Sequence, residues 1–182
     1  MDERLETLLA KQELTELIYA YCTACDRADT AALKALYHPD AEDDHGHFGS
    51  GPAGNFLGFV EGNNQSKGIS KVMHNITNIS LVVEGARAEG QSYVIAFHVI
   101  PDEQGVPYDF IYLGRYLDKF EKRDGAWKIL HRRCVVDMSY RFERSAMTLE
   151  QPLVQGFHRG ANGPDDESYA FFEFFYARPH DA

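Results

Sequence analysis

Asp26 and His74 are the residues of this sequence whose types and surroundings best suit acid–base chemistry. His74 stands near the start of the strand-like run 70–83, which is rich in β-branched and small polar residues. A carboxylate beside a histidine fixes the tautomer of the ring and stabilises its protonated form, which suits a general base near neutral pH. If the two side chains meet in a pocket, they can abstract a proton. Alternatively, His74 is a structural hydrogen-bond donor without a chemical role.

The helix that must carry Asp26 is visible as an apolar stripe. Its members recur at spacings of three and four residues: Leu14, Leu17, Ile18, Tyr21, Cys22 and Cys25. Asp26 follows Cys22 by four residues and therefore lies over the same stripe, where a buried carboxylate needs a partner. Tyr21 shares that face, so its hydroxyl can reach the same cavity. In the alternative interpretation, Asp26 is exposed at a frayed helix end or caps the next helix, although Asp29 is the better cap.

Two shorter helices and a polar strand are predicted before the run that contains His74. The second helix covers 30–37, and the third covers roughly 53–61 and supplies Phe56 as a candidate substrate contact. Residues 41–48 are predicted as a short polar strand, followed by a Gly-Ser-Gly-Pro loop.

The polar strand also contains a cluster of ionisable residues that could bind a metal ion: Asp43, Asp44, His45 and His47. Their spacing is loose and no further set of ligands follows, so we favour a solvated strand or the rim of a pocket, and no metal is expected. The Cys22-x-x-Cys25 pair lacks the strand-to-helix context of a redox motif and the second ligand pair of a zinc site. We interpret these cysteines as small core residues.

From Val72 onward the hydrophobic period changes from about 3.6 to about 2 residues. Turn signals at Glu84-Gly85, 101–107 and Asp124-Gly125 separate four predicted strands: 72–84, 86–100, 108–122 and 126–140. Helices followed by an antiparallel meander indicate an α+β fold, in which the helices cover one face of a curved sheet.

The predicted sheet supplies further candidate side chains for a pocket. Tyr112 and Tyr116 lie on one face of the third strand, and Asn78 is expected to share a face with the candidate histidine. These three residues are candidate substrate contacts. Neighbouring residues on a strand point to opposite faces, so only one of Arg132 and Arg133 can enter the cavity. An interior arginine could bind a leaving group or a developing oxyanion, whereas a surface pair would balance the acidic charge.

Composition narrows the classes of function. At 182 residues the chain suits one domain with a substantial core. The net charge of −10 and the scarcity of clustered Lys and Arg argue against nucleic acid as a partner. No apolar run approaches the ~20 residues of a membrane span, and the acidic N-terminus does not resemble a signal peptide, so we expect a cytoplasmic protein. The sequence contains no glycine-rich phosphate loop, and no cofactor is expected.

Four motifs resemble the SnoaL-like branch of the nuclear-transport-factor-two-like superfamily: CTACDRAD in the first helix, LYHPDAEDDHG after the second, VMHNITN at the start of the meander and FEKRDGAWKILHRR at its last hairpin. The resemblance runs from about Leu8 to Tyr140. It implies a cystatin-like α+β cone, in which three helices pack on a curved, mostly antiparallel sheet that encloses a pocket. We expect this cone domain over residues 1–145. We expect the extension 146–182, with its aromatic stretch 169–176, to cover the cone or form an oligomer interface.

Relatives such as hexachlorocyclohexane dehydrochlorinase, scytalone dehydratase and bile-acid dehydratase use an Asp-His pair to remove a proton while a leaving group departs. The resemblance matches that pair to Asp26 and His74, a pocket tyrosine to Tyr21, and a pocket arginine to Arg132 rather than Arg133. It therefore implies a cofactor-independent lyase, of dehydratase or dehydrohalogenase type, or an isomerase, acting on a small apolar cyclic compound. The aromatic stretch 169–176 suggests a homo-oligomer, and the sequence leaves a dimer or a trimer open. Alternatively, the protein is a non-catalytic ligand-binding or assembly subunit, as are the small subunits of ring-hydroxylating dioxygenases.

Overall fold

Three helices precede the main part of the sheet and pack against it. The computed structural model describes residues 2–66, 69, 71–144, 152–173 and 175–176. The helices are α1 (Glu3–Arg27), α2 (Thr30–Ala35) and α3 (Ala53–Ser66). Asp29 caps α2 as predicted, because its side chain accepts a hydrogen bond from the backbone N–H of Ala32 at 2.9 Å. All three predicted helices exist, but the second ends at Ala35 instead of residue 37, because Tyr37 begins the first strand, and the third continues to Ser66. Within the described residues, no helix is long and apolar enough to cross a membrane.

Six strands form one curved, unclosed sheet: β1 (Tyr37–Asp44), β2 (Ser50–Pro52), β3 (Lys71–Glu84), β4 (Arg87–Pro101), β5 (Pro107–Arg123) and β6 (Ala126–Glu143). Their order is β2-β1-β6-β5-β4-β3, with β1 parallel to β6 and every other neighbouring pair antiparallel. The α+β fold and the four-stranded meander are confirmed. The predicted strand 41–48 is wrong in its limits, because the strand begins at Tyr37, where it pairs with β6, and residues 46–48 form a 3-10 turn.

The two faces of the sheet have different environments. The inner face packs against α1 and buries apolar side chains, among them Val94, Ala96, Tyr116, Phe120 and Ile129. Leu14 and Ile18 of α1 belong to the same core. The outer face leaves large apolar side chains exposed, among them Met73, Tyr93, Phe97, Met138 and Tyr140. The residues that α1 and β3 bring together therefore lie at the border of the core.

An irregularity in β3 changes which side chains reach the inner face. His74 lies on that face, but the register of β3 against β4 shifts between Ile76 and Ile79. This β-bulge inserts an extra residue and reverses the alternation beyond it. Ile79 therefore takes a partly buried inner position, whereas Asn78 is exposed. The prediction that Asn78 shares a face with His74 is wrong for this reason.

The described C-terminal residues pack beside the end of α1. They contain two short 3-10 turns and the helix α4 (Glu167–Phe171). Asp166 forms an ion pair with Arg27, in which its Oδ1 lies 3.2 Å from Nε, and the Tyr169 hydroxyl donates a hydrogen bond to Asp29 at 3.3 Å. These contacts attach the segment near the α1 terminus that carries the candidate aspartate.

The aromatic stretch 169–176 is largely exposed where the structure describes it. Phe171, Phe172 and Phe175 are all exposed. Parts of the extension 146–182 lie outside the described residues. Its expected roles, covering the cone or forming an oligomer interface, therefore stay predictions.

Candidate active site

The Asp26 carboxylate and the His74 ring are in direct contact between the last turn of α1 and the start of β3. Oδ1 of Asp26 lies 2.7 Å from Nδ1 of His74, and the backbone N–H of His74 donates to both carboxylate oxygens at 3.1 Å. The side chains of His74 and Asp26 are only 9% and 14% exposed. An ionised carboxylate only accepts hydrogen bonds, so Nδ1 carries the proton and Nε2 of the neutral ring keeps a lone pair. The arrangement can therefore accept a proton at Nε2.

A line of aromatic rings runs from His74 across the inner face of the sheet. The His98 ring stands nearly perpendicular to the His74 ring at 5.9 Å, and the Tyr112 ring stacks on His98 at 5.8 Å. The hydroxyls of Tyr112 and Tyr116 lie 3.1 Å apart. Burial raises the pKa of both tyrosines, so both hydroxyls stay protonated and can donate. Both tyrosines therefore lie on the inner face, and their contact with a substrate stays a prediction.

His98 lies beside the candidate base and is not among the residues predicted for the site from the sequence. Burial lowers its pKa to about 4, with the charge of His74 as the second cause. Its Nδ1 is buried without a hydrogen-bond partner among the described residues. It follows Val94 and Ala96 on the same face of β4, which the structure shows to be the inner one.

A second Asp–His contact lies on β1 and the turn that follows it. Asp43 is fully buried, accepts a hydrogen bond from the Tyr37 hydroxyl at 2.6 Å, and binds Nδ1 of His45 through its other oxygen. Nε2 of His45 lies 3.2 Å from the Tyr21 hydroxyl. The imidazole stacks on Phe56 of α3 with ring centroids 3.9 Å apart. Tyr21 and Phe56, both predicted site residues, are thus joined by His45, which the sequence pattern assigns to a solvated strand or the rim of a pocket.

Arg132 is the arginine that lies inside the fold. It is fully buried between the rings of Tyr21 and Tyr116, with its guanidinium carbon 3.9 and 4.3 Å from their centroids. Asp118 accepts two of its hydrogen bonds, from Nε at 2.7 Å and from Nη2 at 2.8 Å. Nη1 is buried without a hydrogen-bond partner among the described residues. The Arg133 side chain, by contrast, is 58% exposed.

The ionisable residues considered as metal ligands, Asp43 to His47, do not surround a common point where an ion could bind. Asp43 and His45 bind each other, and His47 is exposed. The described part of the chain contains no group of three or more His, Cys, Asp or Glu side chains placed to hold a metal ion. The three cysteines are unpaired, and burial raises the pKa of the Cys22 thiol to about 12, so the protonated thiol is retained at neutral pH.

Two clefts lie on other parts of the surface. One, of about 640 Å³, runs between α1, α2 and the β5–β6 turn and is lined in part by Trp127 and Tyr169. The other, of about 330 Å³, is lined in part by His131 and Arg133 on the outer face. Neither cleft is lined by Asp26 or His74, so the expected pocket around that pair stays a prediction.

Comparison with protein families identifies the fold and its family. The family model for the SnoaL-like domain matches residues 6–133. The chain therefore belongs to the SnoaL-like domain family, and the resemblance seen in its motifs is confirmed. A comparison with curated protein sequences finds no match.

Several solved structures share the fold at low sequence identity. A provisionally assigned scytalone dehydratase from Novosphingobium aromaticivorans is 23% identical, with a TM-score of 0.64 over 87% of this chain and 95% of that chain. A type 2 hexachlorocyclohexane dehydrochlorinase (LinA) is 21% identical, with a TM-score of 0.63 over 80% of this chain and 95% of that chain. The β subunit of a provisionally assigned aromatic-ring-hydroxylating dioxygenase from Novosphingobium aromaticivorans is 17% identical, with a TM-score of 0.56 over 72% of this chain and 91% of that chain. These similarities show that the chain shares the fold of these proteins.

Proposed function

We propose that the protein is a cofactor-independent lyase or isomerase that removes a proton from a small, largely apolar cyclic compound. His74 is the general base, and Asp26 is the carboxylate that orients it. The observation that carries this proposal is the 2.7 Å contact between Asp26 Oδ1 and His74 Nδ1, which leaves Nε2 as the proton acceptor. The fold shared with proteins named as a dehydratase and a dehydrochlorinase supports the reaction class.

Asp26 assists the base through charge and through position. Its negative charge stabilises the imidazolium that forms when Nε2 takes a proton from carbon. The hydrogen bonds from the His74 backbone N–H hold the carboxylate in place, so the ring cannot rotate without losing its partner. A positioned general base typically contributes about 10²–10⁴-fold to a rate.

The buried donors of the inner face act at the other end of the reaction. When the C–H bond breaks, its electron pair moves towards a carbonyl group or a leaving group. The Tyr112 and Tyr116 hydroxyls and Nη1 of Arg132 can stabilise the negative charge that develops there. The aromatic side chains beside them suit an apolar ring. In an isomerase the proton returns to a different carbon, whereas in a lyase a group departs.

A non-catalytic ligand-binding or assembly subunit is the second candidate function. The fold shared with a dioxygenase β subunit favours it, as do the exposed apolar side chains of the outer sheet face, which a partner could cover. For the enzyme, the same face supports a homo-oligomer, either a dimer or a trimer. The three unpaired cysteines suit the reducing environment of the cytoplasm, which is the location we propose.

Deuterium uptake tests the proposed base directly. Cyclohexanone and 3-hydroxycyclohexanone are incubated with the protein in D₂O, and the loss of their α-proton signals is followed by NMR. The wild type should accelerate exchange, and His74→Gln should lower the protein-dependent rate by about 10²-fold or more because the base is lost. Asp26→Asn should lower the rate less, because the imidazole remains but is no longer held by a charged partner.

The matched control for this experiment is His131→Gln, which alters a histidine in the cleft on the outer face. This variant should exchange protons at the wild-type rate. If neither ketone exchanges faster with the protein than with buffer, or if His74→Gln retains the full rate, the base assignment is wrong. The binding-subunit function would then be preferred.

A further inference from the structure

The Asp43–His45 pair takes no part in the proton abstraction described above, yet its contacts parallel those of Asp26 and His74. In each pair a carboxylate binds Nδ1 and leaves Nε2 free of that carboxylate. For His45 that group is the Tyr21 hydroxyl at 3.2 Å. A histidine held in this way can pass a proton to the hydroxyl.

The polar groups around His45 come from several elements. Asp43 and Tyr37 lie on β1, Tyr21 on α1, and Tyr116 on β5, where its ring centroid is 6.0 Å from that of His45. Asp43 is the carboxylate in direct contact with the imidazole. An imidazole bound in this way through Nδ1 can donate through Nε2 when that nitrogen also carries a hydrogen.

Of the remaining neighbours, Phe56 shields the histidine and Arg132 acts on the tyrosine. Phe56 covers one side of the imidazole with an apolar ring. Arg132 lies against the Tyr21 ring at 3.9 Å, so its positive charge can stabilise the phenolic oxygen while that oxygen is between protons. Burial raises the pKa of Tyr21, and the resting hydroxyl therefore keeps its proton.

Tyr21 also stands at the far end of the ring line that begins at His74. The Tyr21 and Tyr116 centroids are 5.6 Å apart, the Tyr116 and Tyr112 hydroxyls 3.1 Å, the Tyr112 and His98 rings 5.8 Å, and the His98 and His74 rings 5.9 Å. These contacts connect Tyr21 to the same set of inner-face rings as the base.

We propose that Asp43 and His45 supply the proton that Tyr21 gives to a departing oxygen, so that the substrate is a hydroxy compound that loses water and not an organohalide. This inference rests on the proposed function. Nε2 of His74 takes the proton of the C–H bond, whose electron pair forms the C=C bond. The C–O bond breaks with its electrons on oxygen, and the oxygen takes the proton of Tyr21. Tyr21 regains a proton from Nε2 of protonated His45. Alkene and water leave, and solvent then removes the proton from His74 and returns one to His45.

The proton supply is what points to an oxygen leaving group. A hydroxyl group departs readily only when it is protonated, because hydroxide is a strong base. A chloride departs as a stable anion and needs no proton. In a dehydrochlorination the leaving group would therefore need no proton from this series of a buried carboxylate, a histidine and a tyrosine.

A pair of ketones with a common product tests the proposal. Elimination from 3-hydroxycyclohexanone and from 3-chlorocyclohexanone gives the same 2-cyclohexenone, which is followed by its ultraviolet absorbance. His45→Gln should lower the ratio of hydroxy to chloro turnover by about 10²-fold, as general-acid catalysis does. Tyr21→Phe removes a single oxygen atom and should lower the ratio similarly. His47→Gln, which alters an exposed histidine, should leave the ratio at the wild-type value.

A structural role for the pair would give a different pattern. If Asp43 and His45 only support the fold, His45→Gln should lower turnover of both ketones in parallel. Tyr37→Phe removes the other hydrogen bond of Asp43 and leaves the contact between His45 and Tyr21, so it should change the ratio much less than His45→Gln. An unchanged ratio in both His45→Gln and Tyr21→Phe overturns the proposal. If deuterium exchange remains normal in that case, only the proton supply is refuted and the base stands.

Nitrogen-15 spectra of the histidine rings provide a test that needs no turnover. The Nδ1 proton of His45 should resonate far downfield in the wild type and in Tyr21→Phe, and should be lost in Asp43→Asn. The Nε2 resonance should move in Tyr21→Phe. If neither variant changes these signals, the hydrogen-bonded series does not exist in solution and the proposal is wrong. If the wild type turns over neither ketone, these spectra alone test whether Asp43, His45 and Tyr21 are hydrogen-bonded in series.

Discussion

Replacing His98 with phenylalanine should make the protein lose less free energy of unfolding when the pH falls. Burial, followed by the charge of His74, lowers the folded-state pKa of His98 to about 4 from the ordinary value of 6.5. Between these two pH values the unfolded chain binds more protons than the folded one, so the free energy of unfolding falls as the pH falls. The stability that depends on neutral His98 is fully present above about pH 6.5 and is lost as the pH approaches about 4.

The size of the effect follows from the two pKa values. Linkage gives a loss of about 2 kcal/mol by pH 5 and about 3 kcal/mol by pH 4, relative to pH 7. His98→Phe keeps a ring against Tyr112 and removes the Nδ1 that has no hydrogen-bond partner among the described residues. The variant cannot bind the proton, so its loss over this interval should be smaller than that of the wild type by about these amounts.

Urea denaturation at pH 7, 6, 5 and 4 measures the difference, with the fluorescence of the single, buried Trp127 as the signal. Only the change with pH is compared, because the substitution can also alter stability at pH 7. His47→Phe, at an exposed histidine, should lose as much free energy of unfolding as the wild type. If the wild type and His98→Phe lose equal amounts between pH 7 and pH 4, His98 is not held neutral in the folded state and the reasoning is wrong.

Two further predictions concern carboxylates with well-defined partners. Asp118→Asn leaves the buried Arg132 guanidinium without its negative partner and should lower the free energy of unfolding by about 3–5 kcal/mol, whereas a loss below about 1 kcal/mol would show that the guanidinium is solvated. Asp166→Asn should accelerate hydrogen exchange over residues 160–171, because the carboxylate that accepts hydrogen bonds there is lost. In the wild type, a hydrogen bond from Ser168 and, second, one from a backbone N–H lower the pKa of Asp166 to about 2. The wild-type contacts should therefore weaken only as the pH falls from about 4 through about 2. The exposed neighbour Asp165→Asn should exchange like the wild type, and equal acceleration in both variants would contradict the assignment.

The features that could be read from the sequence are those set by local periodicity. The stripe ending at Cys25 placed Asp26 at the border of the core, and the period-two run placed His74 on a strand. Both elements exist, and the two side chains are in contact. Asp29 as a helix cap and Asp124-Gly125 as a hairpin turn follow from equally local chemistry, and both are observed. Whether the contact between Asp26 and His74 serves catalysis is a separate question, because the fold does not define the reaction.

The features that could not be read depend on how the strands pair, which local periodicity does not show. The bulge between Ile76 and Ile79 arises from how β3 meets β4, and no residue in that stretch forces it. A strict alternation therefore assigned Asn78 to the wrong face. His98 was missed although its own strand alternates regularly, because apolar residues occupy both faces of β4 and hide which face is inward.

The Asp43–His45 pair shows how composition can conceal a regular pattern. Ala41 and Asp43 are buried, whereas Glu42 between them is exposed, so β1 does alternate as a half-buried strand should. Hydropathy cannot reveal this, since a buried aspartate and an exposed glutamate score alike. The inward position of Asp43 depends on the parallel pairing of β1 with β6 and on the Tyr37 hydroxyl that satisfies the carboxylate. The two Asp–His pairs therefore have different origins. Residues two positions apart form the Asp43–His45 contact, whereas the docking of α1 against β3 forms the Asp26–His74 contact. Both proposed roles still need tertiary packing, because α1 supplies Tyr21 to His45 and Asp26 to His74.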